Sequence, residues 1–100
     1  MKKIVLDASA WREPDDFYDS LLPAIGAPAW HGRNLDAIEE TIFYDDRINA
    51  VQPPYEVQIL DADSLDESMR AFLELVHRVF EDHRGEGLAT LSIDPPLLGL

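Results

Sequence analysis

Short apolar runs alternate along the chain with longer amphipathic segments. Runs rich in β-branched and aliphatic residues predict strands at Lys3–Leu6, Tyr55–Leu60 and Leu88–Ile93. Helical patterns separate these runs, and strands that are joined by helical crossovers are expected to lie mostly parallel. The pattern therefore predicts an α/β fold, in which a mostly parallel three-stranded sheet is packed by three or four helices.

The first helix is predicted to start at Pro14, because a proline in the first turn is followed by two acids at the positive end of the helix dipole. Pro23 lacks a backbone donor and is expected to kink or end this helix near Leu22. One side of the helix carries apolar residues at intervals of four, which predicts a buried stripe: Phe17, Leu21 and Ile25.

A second helix is predicted to begin at Asn34, a residue type that is favoured as an N-cap, and to fade near Asp45. A loop is predicted at Asp46–Pro54, which ends in two prolines. The apolar positions of this helix fall on one face: Leu35, Ile38 and Ile42.

The longest amphipathic segment lies between the second and third strands. Ser64 and Glu67 fit a capping box at its start, and Gly85 or Gly87 is expected to end it in a left-handed turn. The tail after Pro96 is expected to be a loose end or an edge contact. The predicted buried stripe of the helix comprises Leu65, Met69, Phe72, Leu73, Val76, Val79 and Phe80.

Length and charge narrow the possible classes of protein. One hundred residues with 46% hydrophobic content predict a single domain over residues 1–100. Twenty acidic and eight basic residues give a formal net charge of -12, which disfavours direct binding to nucleic acid or to anionic membranes and favours cationic partners. No signal peptide or membrane span is recognised, so a cytoplasmic monomer is expected.

Catalytic and metal-binding signals are weak. The chain has no cysteine, and His31, His77 and His83 lack metal-ligand spacing, so they are interpreted as surface or partly buried residues. No metal, cofactor or catalytic residue is predicted. An acidic enzyme remains a third hypothesis, which requires a pocket around His31, Asp36 and Glu40.

The segment from Asn34 to Asp46 contains five acids and no basic residue. Asp36 and Glu40 are one turn apart and project together, which destabilises an isolated helix by about 0.2–0.5 kcal/mol. Two interpretations remain open at this point: a solvated helix face, or a surface for a basic cleft with Trp30 as its aromatic anchor. Trp30 is equally compatible with a place in the core.

The stretch Pro28-Ala29-Trp30-His31-Gly32-Arg33-Asn34-Leu35-Asp36-Ala37 resembles the signature of the barstar-like family, which comprises intracellular inhibitors of secreted bacterial ribonucleases. Lys2-Lys3-Ile4-Val5-Leu6 resembles the first strand of that family, and Val79-Phe80 with Glu86-Gly87 matches its closing helix and turn. The resemblance implies a three-stranded parallel sheet in which the second helix and its preceding loop plug a nuclease active site.

The resemblance also implies roles for single residues. Trp30 matches the aromatic residue that stacks in the nuclease cleft, Asp36 matches an interfacial aspartate, and Glu40 stands where the family has its main phosphate-mimicking aspartate. Asp82 matches a further acid that contacts the enzyme. Three positions of the predicted contact surface depart from the family: a histidine replaces an aromatic residue, Glu39 replaces a tryptophan and Glu40 replaces an aspartate. The surface comprises Trp30, His31, Gly32, Asn34, Asp36, Glu39, Glu40 and Asp82.

The sequence thus predicts an inhibitor or immunity protein that occludes a basic ribonuclease or another cationic toxin and has no catalysis of its own. The alternative is a barstar-fold interaction module with a partner that is not a nuclease, reached for instance through the longer loop at Asp46–Pro54.

Overall fold

The computed structural model describes residues 2–97. Three strands form one sheet: β1 (Lys2–Asp7), β2 (Tyr55–Leu60) and β3 (Ala89–Ile93). β2 lies between the other two strands and pairs in parallel with both. The predicted three-stranded parallel sheet is confirmed, and each strand end lies within one residue of its predicted position.

One face of the sheet is buried and the other is largely open. Ile4, Val57 and Leu91 lie in register across the three strands, and all three are buried. The side chains that follow them point to the opposite face and are exposed or half-buried, because successive residues of a strand alternate in direction. The helices therefore cover one side of the sheet, where α1 contacts β1 and α3 contacts β3.

Helix α1 (Pro14–Ala24) begins where the sequence predicts. The carboxylate of Asp16 accepts hydrogen bonds from the backbone N–H groups of Arg12 and Glu13, which lowers the pKa of Asp16 and caps the helix. Pro23 lies inside the last turn, and the helix ends at Ala24, two residues beyond the predicted point. A proline so close to the end removes only one backbone hydrogen bond, so the helix continues past it for one residue before it ends.

Helix α2 (Leu35–Glu39) continues as a wider π-helical turn over Glu40–Tyr44. The N–H of Asp45 bonds to the carbonyl of Glu40 at 2.7 Å, five residues back. The predicted end near Asp45 is confirmed, but the sequence pattern did not predict the change of pitch. Ile38 and Ile42 are buried as predicted, and Leu35 is partly buried.

Helix α3 (Glu67–Asp82) starts later than predicted. Its N-cap is Asp66, whose carboxylate accepts a hydrogen bond from the N–H of Met69 at 2.8 Å. The predicted capping box of Ser64 and Glu67 is wrong, because Ser64 belongs to a preceding 3₁₀ turn and its hydroxyl donates to the backbone carbonyls of Ser9 and Asp61.

Helix α3 also ends earlier than predicted, at Asp82, before either candidate glycine. A 3₁₀ turn over Arg84–Glu86 follows, and Gly87 then adopts a left-handed conformation with φ of +72° before β3. Leu97 is buried, and residues 98–100 of the predicted loose end lie outside the described residues. In the described part of the chain, no helix is both long and apolar enough to span a bilayer.

The core contains most of the predicted apolar stripes of the helices. Phe72 and Val79 pack only partly buried against it. The predicted positions that are fully enclosed are Phe17, Leu21, Ile25, Ile38, Ile42, Leu65, Met69, Leu73, Val76 and Phe80.

Candidate functional site

The loop that leads into α2 is held close to the start of that helix. The side-chain oxygen of Asn34 accepts a hydrogen bond from the N–H of Ala37 at 2.8 Å, so Asn34 is the N-cap, as predicted. A Cβ on Gly32 would lie 3.1 Å from the Cβ of Ala37 and 3.2 Å from Nδ2 of Asn34. Glycine thus lets the loop pass directly over the first turn of α2.

The two tryptophans lie in opposite environments. Trp30 is 72% exposed in the loop before α2, whereas Trp11 is 4% exposed and its indole N–H donates to the Ser20 hydroxyl at 3.2 Å. The interpretation that places Trp30 in the core is therefore wrong. An exposed indole beside a helix start is the type of residue found at the centre of protein interfaces.

Asp36 and Glu40 form an exposed acidic pair on α2. The N–H of Glu40 bonds to the carbonyl groups of Asp36 and Ala37, so the backbone is still α-helical between the two acids. Their side chains therefore project from one face, one turn apart. Neither carboxylate forms an ion pair with any residue in the described range.

Glu39 has a different environment from that of Glu40. Its carboxylate lies 2.7 Å from Nε2 of His83, and Nδ1 of the same ring contacts the carboxylate of Glu86. The ring of His83 stacks on Phe43 with centroids 4.2 Å apart and planes 10° apart. This contact joins α2 to the segment that follows α3.

Both nitrogens of the His83 ring face carboxylate oxygens, which accept hydrogen bonds, so these contacts favour the ring that carries a proton on each nitrogen. Burial lowers the pKa of His83, but the hydrogen bonds and charges of Glu39 and Glu86 more than offset burial, so the pKa is raised. The prediction that His83 is at the surface or partly buried is wrong, since the residue is 6% exposed.

Sequence reasoning missed this cluster and the aromatic residue beside it. His83 and Glu39 are 44 residues apart, so no local spacing signals their contact. Tyr44 makes an edge-on contact with the His83 ring, at 5.4 Å between centroids, and is 68% exposed. The run of apolar residues before Tyr44 suggested only a buried stripe.

His31 is also buried, at 6% exposure, and this corrects its interpretation as a surface or partly buried residue. Its Nδ1 lies 2.7 Å from the carbonyl oxygen of Gly32, and its Nε2 lies 2.7 Å from the hydroxyl of Thr41. The ring is therefore enclosed between the loop and the π turn. Both ring nitrogens thus have partners within the protein, and the ring itself is closed off from solvent.

Arg33 connects the loop to α1. Its guanidinium pairs with the carboxylates of Asp19 and Asp15, which raises the pKa of Arg33, and it bonds to the backbone carbonyl of Asp15 at 2.9 Å. The guanidinium also lies over the ring of Tyr18, 5.9 Å from its centroid. These contacts neutralise the one cation in the loop within the molecule's own structure.

Asp82 is exposed at the last residue of α3. The next residue, His83, contacts Glu39, so this end of α3 lies beside α2. The structure thus brings the loop, α2 and the end of α3 to one side of the molecule. Among the predicted site residues, Trp30, Asp36, Glu40 and Asp82 are exposed, whereas His31 and Glu39 are engaged internally.

The described residues contain no group of three or more His, Asp or Glu side chains that is placed to hold a metal ion. A search of curated proteins gives no match to the chain. Residues 1–90 match the family described as Barstar (barnase inhibitor). The description of that family names the inhibition of barnase as its activity. Because the match extends over most of the chain and the fold agrees with it, this protein belongs to the barstar family.

Proposed function

We propose that the protein inhibits a basic ribonuclease by inserting the loop Pro28–Arg33 and the first turns of α2 into the active site. One observation carries the proposal: Asp36 and Glu40 project together, exposed and without a cationic partner among the described residues, beside the exposed Trp30. A ribonuclease cleft contains cations that bind phosphates, and two carboxylates at this spacing offer such cations a substitute.

The energetic reason lies in what the two carboxylates lack. An acid that is already paired within its own protein gains little from a partner, because the new contact replaces an existing one. Within residues 2–97, Asp36 and Glu40 have no such contact to lose, and their mutual repulsion is relieved when a cation binds between them. Trp30 then supplies apolar area next to the charged contact.

The other predicted contact residues serve this surface in different ways. Gly32 and Asn34 shape the loop and start the helix, and His31 holds the loop from inside. Glu39 reaches a partner only at the edge, since its carboxylate is bonded to His83. We assign Asp82 to the rim, where it adds charge next to α2.

The partner is proposed to be a basic ribonuclease toxin, for which this chain acts as the immunity protein. A net charge of -12 attracts a cationic protein over distances longer than a contact. We therefore expect a fast association that slows steeply when salt is added.

The test uses barnase as the probe, because the family is defined by its inhibition. Binding is measured by titration calorimetry and inhibition by cleavage of a fluorogenic RNA substrate. The double variant Asp36→Asn, Glu40→Gln is expected to abolish inhibition at concentrations where the unmodified protein inhibits fully. The control Asp63→Asn, Glu67→Gln removes the same net charge from exposed positions outside the site and is expected to retain inhibition.

Equal losses in both double variants would contradict the proposal, because they would show that only net charge matters. Failure of the protein to bind barnase or other basic ribonucleases would contradict it as well. Binding without inhibition would favour the alternative, an interaction module whose partner is not a nuclease.

A further inference from the structure

The segment between α2 and β2 has a buried polar residue. Asn49 is 2% exposed although it lies in a loop, where polar side chains are ordinarily solvated. Its side-chain nitrogen donates to the hydroxyl of Thr41 at 3.1 Å. Its side-chain oxygen has no partner within the described residues. Burial of an unpaired oxygen costs free energy, so the hydrogen bond that the side-chain nitrogen donates is what keeps Asn49 in this position.

Asn49 completes a chain of hydrogen bonds that ends at the binding loop. The carbonyl of Gly32 only accepts, so His31 donates to it through Nδ1. Nε2 of the neutral ring then accepts the Thr41 hydroxyl proton, and the Thr41 oxygen accepts from Asn49. Every member has one definite role, which fixes the tautomer of His31.

The loop that carries Asn49 is itself fixed to the end of α1. The N–H groups of Ala50 and Val51 donate to the carbonyls of Gly26 and Ile25, both at 3.0 Å. Gly26 has φ of +67°, and a Cβ there would lie 2.6 Å from the Cβ of Ala50. Only glycine allows the two segments to approach this closely. If the segments separated or slid past each other, both hydrogen bonds would be lost.

We infer that Thr41 and Asn49 are positioning residues for Trp30, and that the loop at residues 46–54 acts as a brace for the binding surface. The effect on binding that we infer rests on the proposed function. The hydrogen-bond geometry does not depend on that function. His31 follows Trp30 directly in the sequence, and the backbone N–H of His31 donates to the Pro28 carbonyl at 3.0 Å. When the ring is held, the backbone of the loop is held, and Trp30 is presented in one orientation before a partner arrives.

The first test needs no partner. Long-range ¹H–¹⁵N spectra at mildly alkaline pH are expected to show the neutral His31 ring protonated on Nδ1. Thr41→Val keeps the shape of the side chain and removes the hydroxyl, so hydrogen exchange of the His31 backbone amide, which is bonded to the Pro28 carbonyl, is expected to rise by about tenfold. Thr41→Ser is expected to restore slow exchange, and the same substitution on β3, Thr90→Val, is expected to leave it unchanged. An Nε2-protonated ring, or unchanged exchange in Thr41→Val, would overturn the inference.

The second test measures binding to barnase by stopped flow. Thr41→Val and Asn49→Ala are expected to weaken binding by roughly tenfold, mainly through faster dissociation, while Thr41→Ser binds like the unmodified protein. Equal binding by all variants would overturn the positioning role. If the unmodified protein does not bind barnase, the proposed function fails for that nuclease, and the spectra and exchange rates still decide whether the brace exists.

Discussion

Glu39 and Glu40 are adjacent in sequence and identical in chemistry, yet they differ in every physical respect that matters for binding. Glu39 is half-buried and bonded to His83, whereas Glu40 is exposed and has no cation near it within the described residues. Successive residues on a helix differ in direction by about 100°, so one side chain meets the end of α3 and the next points to solvent. The acidic run therefore contains two kinds of carboxylate. Only those without an ion pair within the described residues are fully available to a partner.

The largest expected effect follows from removing the free charge. Glu40→Gln keeps the size of the side chain, and it is expected to weaken binding to barnase by about 2–5 kcal/mol, because a desolvated cation in the cleft loses its partner. Titration calorimetry measures this loss. Glu39→Gln is the matched variant, and its loss is expected to stay within about 0.5 kcal/mol. A larger effect for Glu39 than for Glu40 would reverse the comparison.

The two tryptophans provide the next test. Trp30→Ala is expected to weaken binding to barnase by about 2 kcal/mol while leaving the free energy of unfolding within about 0.5 kcal/mol of its original value. Trp11→Ala, the control, acts on stability instead, because the residue is buried. Urea denaturation separates the two cases, and a large loss of stability in Trp30→Ala would assign that side chain to the fold.

Replacement of His83 is expected to lower the stability of the fold and to have little effect on binding. His83→Gln breaks the charged bridge between Glu39 and Glu86 and lowers the free energy of unfolding by about 1–2 kcal/mol. A double-mutant cycle with Glu39→Gln measures their coupling. Additive losses in that cycle would show that the contact between the two side chains contributes nothing.

The smallest expected effect is a dependence of stability on pH. The pKa of His83 is raised above its ordinary value of 6.5, so the folded protein holds the proton more tightly than the unfolded chain does. The contribution of His83 to stability is complete below pH 6.5 and is lost as the pH rises through the raised pKa. The difference in unfolding free energy between the unmodified protein and His83→Gln should therefore shrink on the alkaline side. A difference that grows with pH would contradict this assignment.

Most of the fold follows from the sequence because its signals are local. Strand ends, the N-cap Asn34 and the helical stripes depend on residues within a few positions of one another. The errors have equally local causes: Asp66 competes with Ser64 as a cap, and α3 stops before the glycines that could end it.

The candidate site was less predictable, because contacts between distant segments decide which of its residues are paired internally and which are exposed. The spacing of Asp36 and Glu40 indicated their common face, but nothing in the sequence near Glu39 indicates His83. In the same way, the His31 ring is bonded to Thr41 of the π turn, and Thr41 in turn accepts a hydrogen bond from Asn49 of the following loop. Composition shows how many charges there are, and only tertiary structure shows which are already paired.

The π turn that begins at Glu40 links the acidic pair to the core of the molecule. Asp36 and Glu40 keep α-helical spacing up to the first residue of the widened turn, while Ile42 and Phe43 lie within it and are buried in the core. Deleting one residue within residues 41–44 would return that part to the normal helical pitch and rotate Tyr44 around the helix axis. Because Thr41 lies in the same turn and contacts the His31 ring, such a deletion would also disturb the loop that carries Trp30, so the helix end and the binding surface are coupled through this turn.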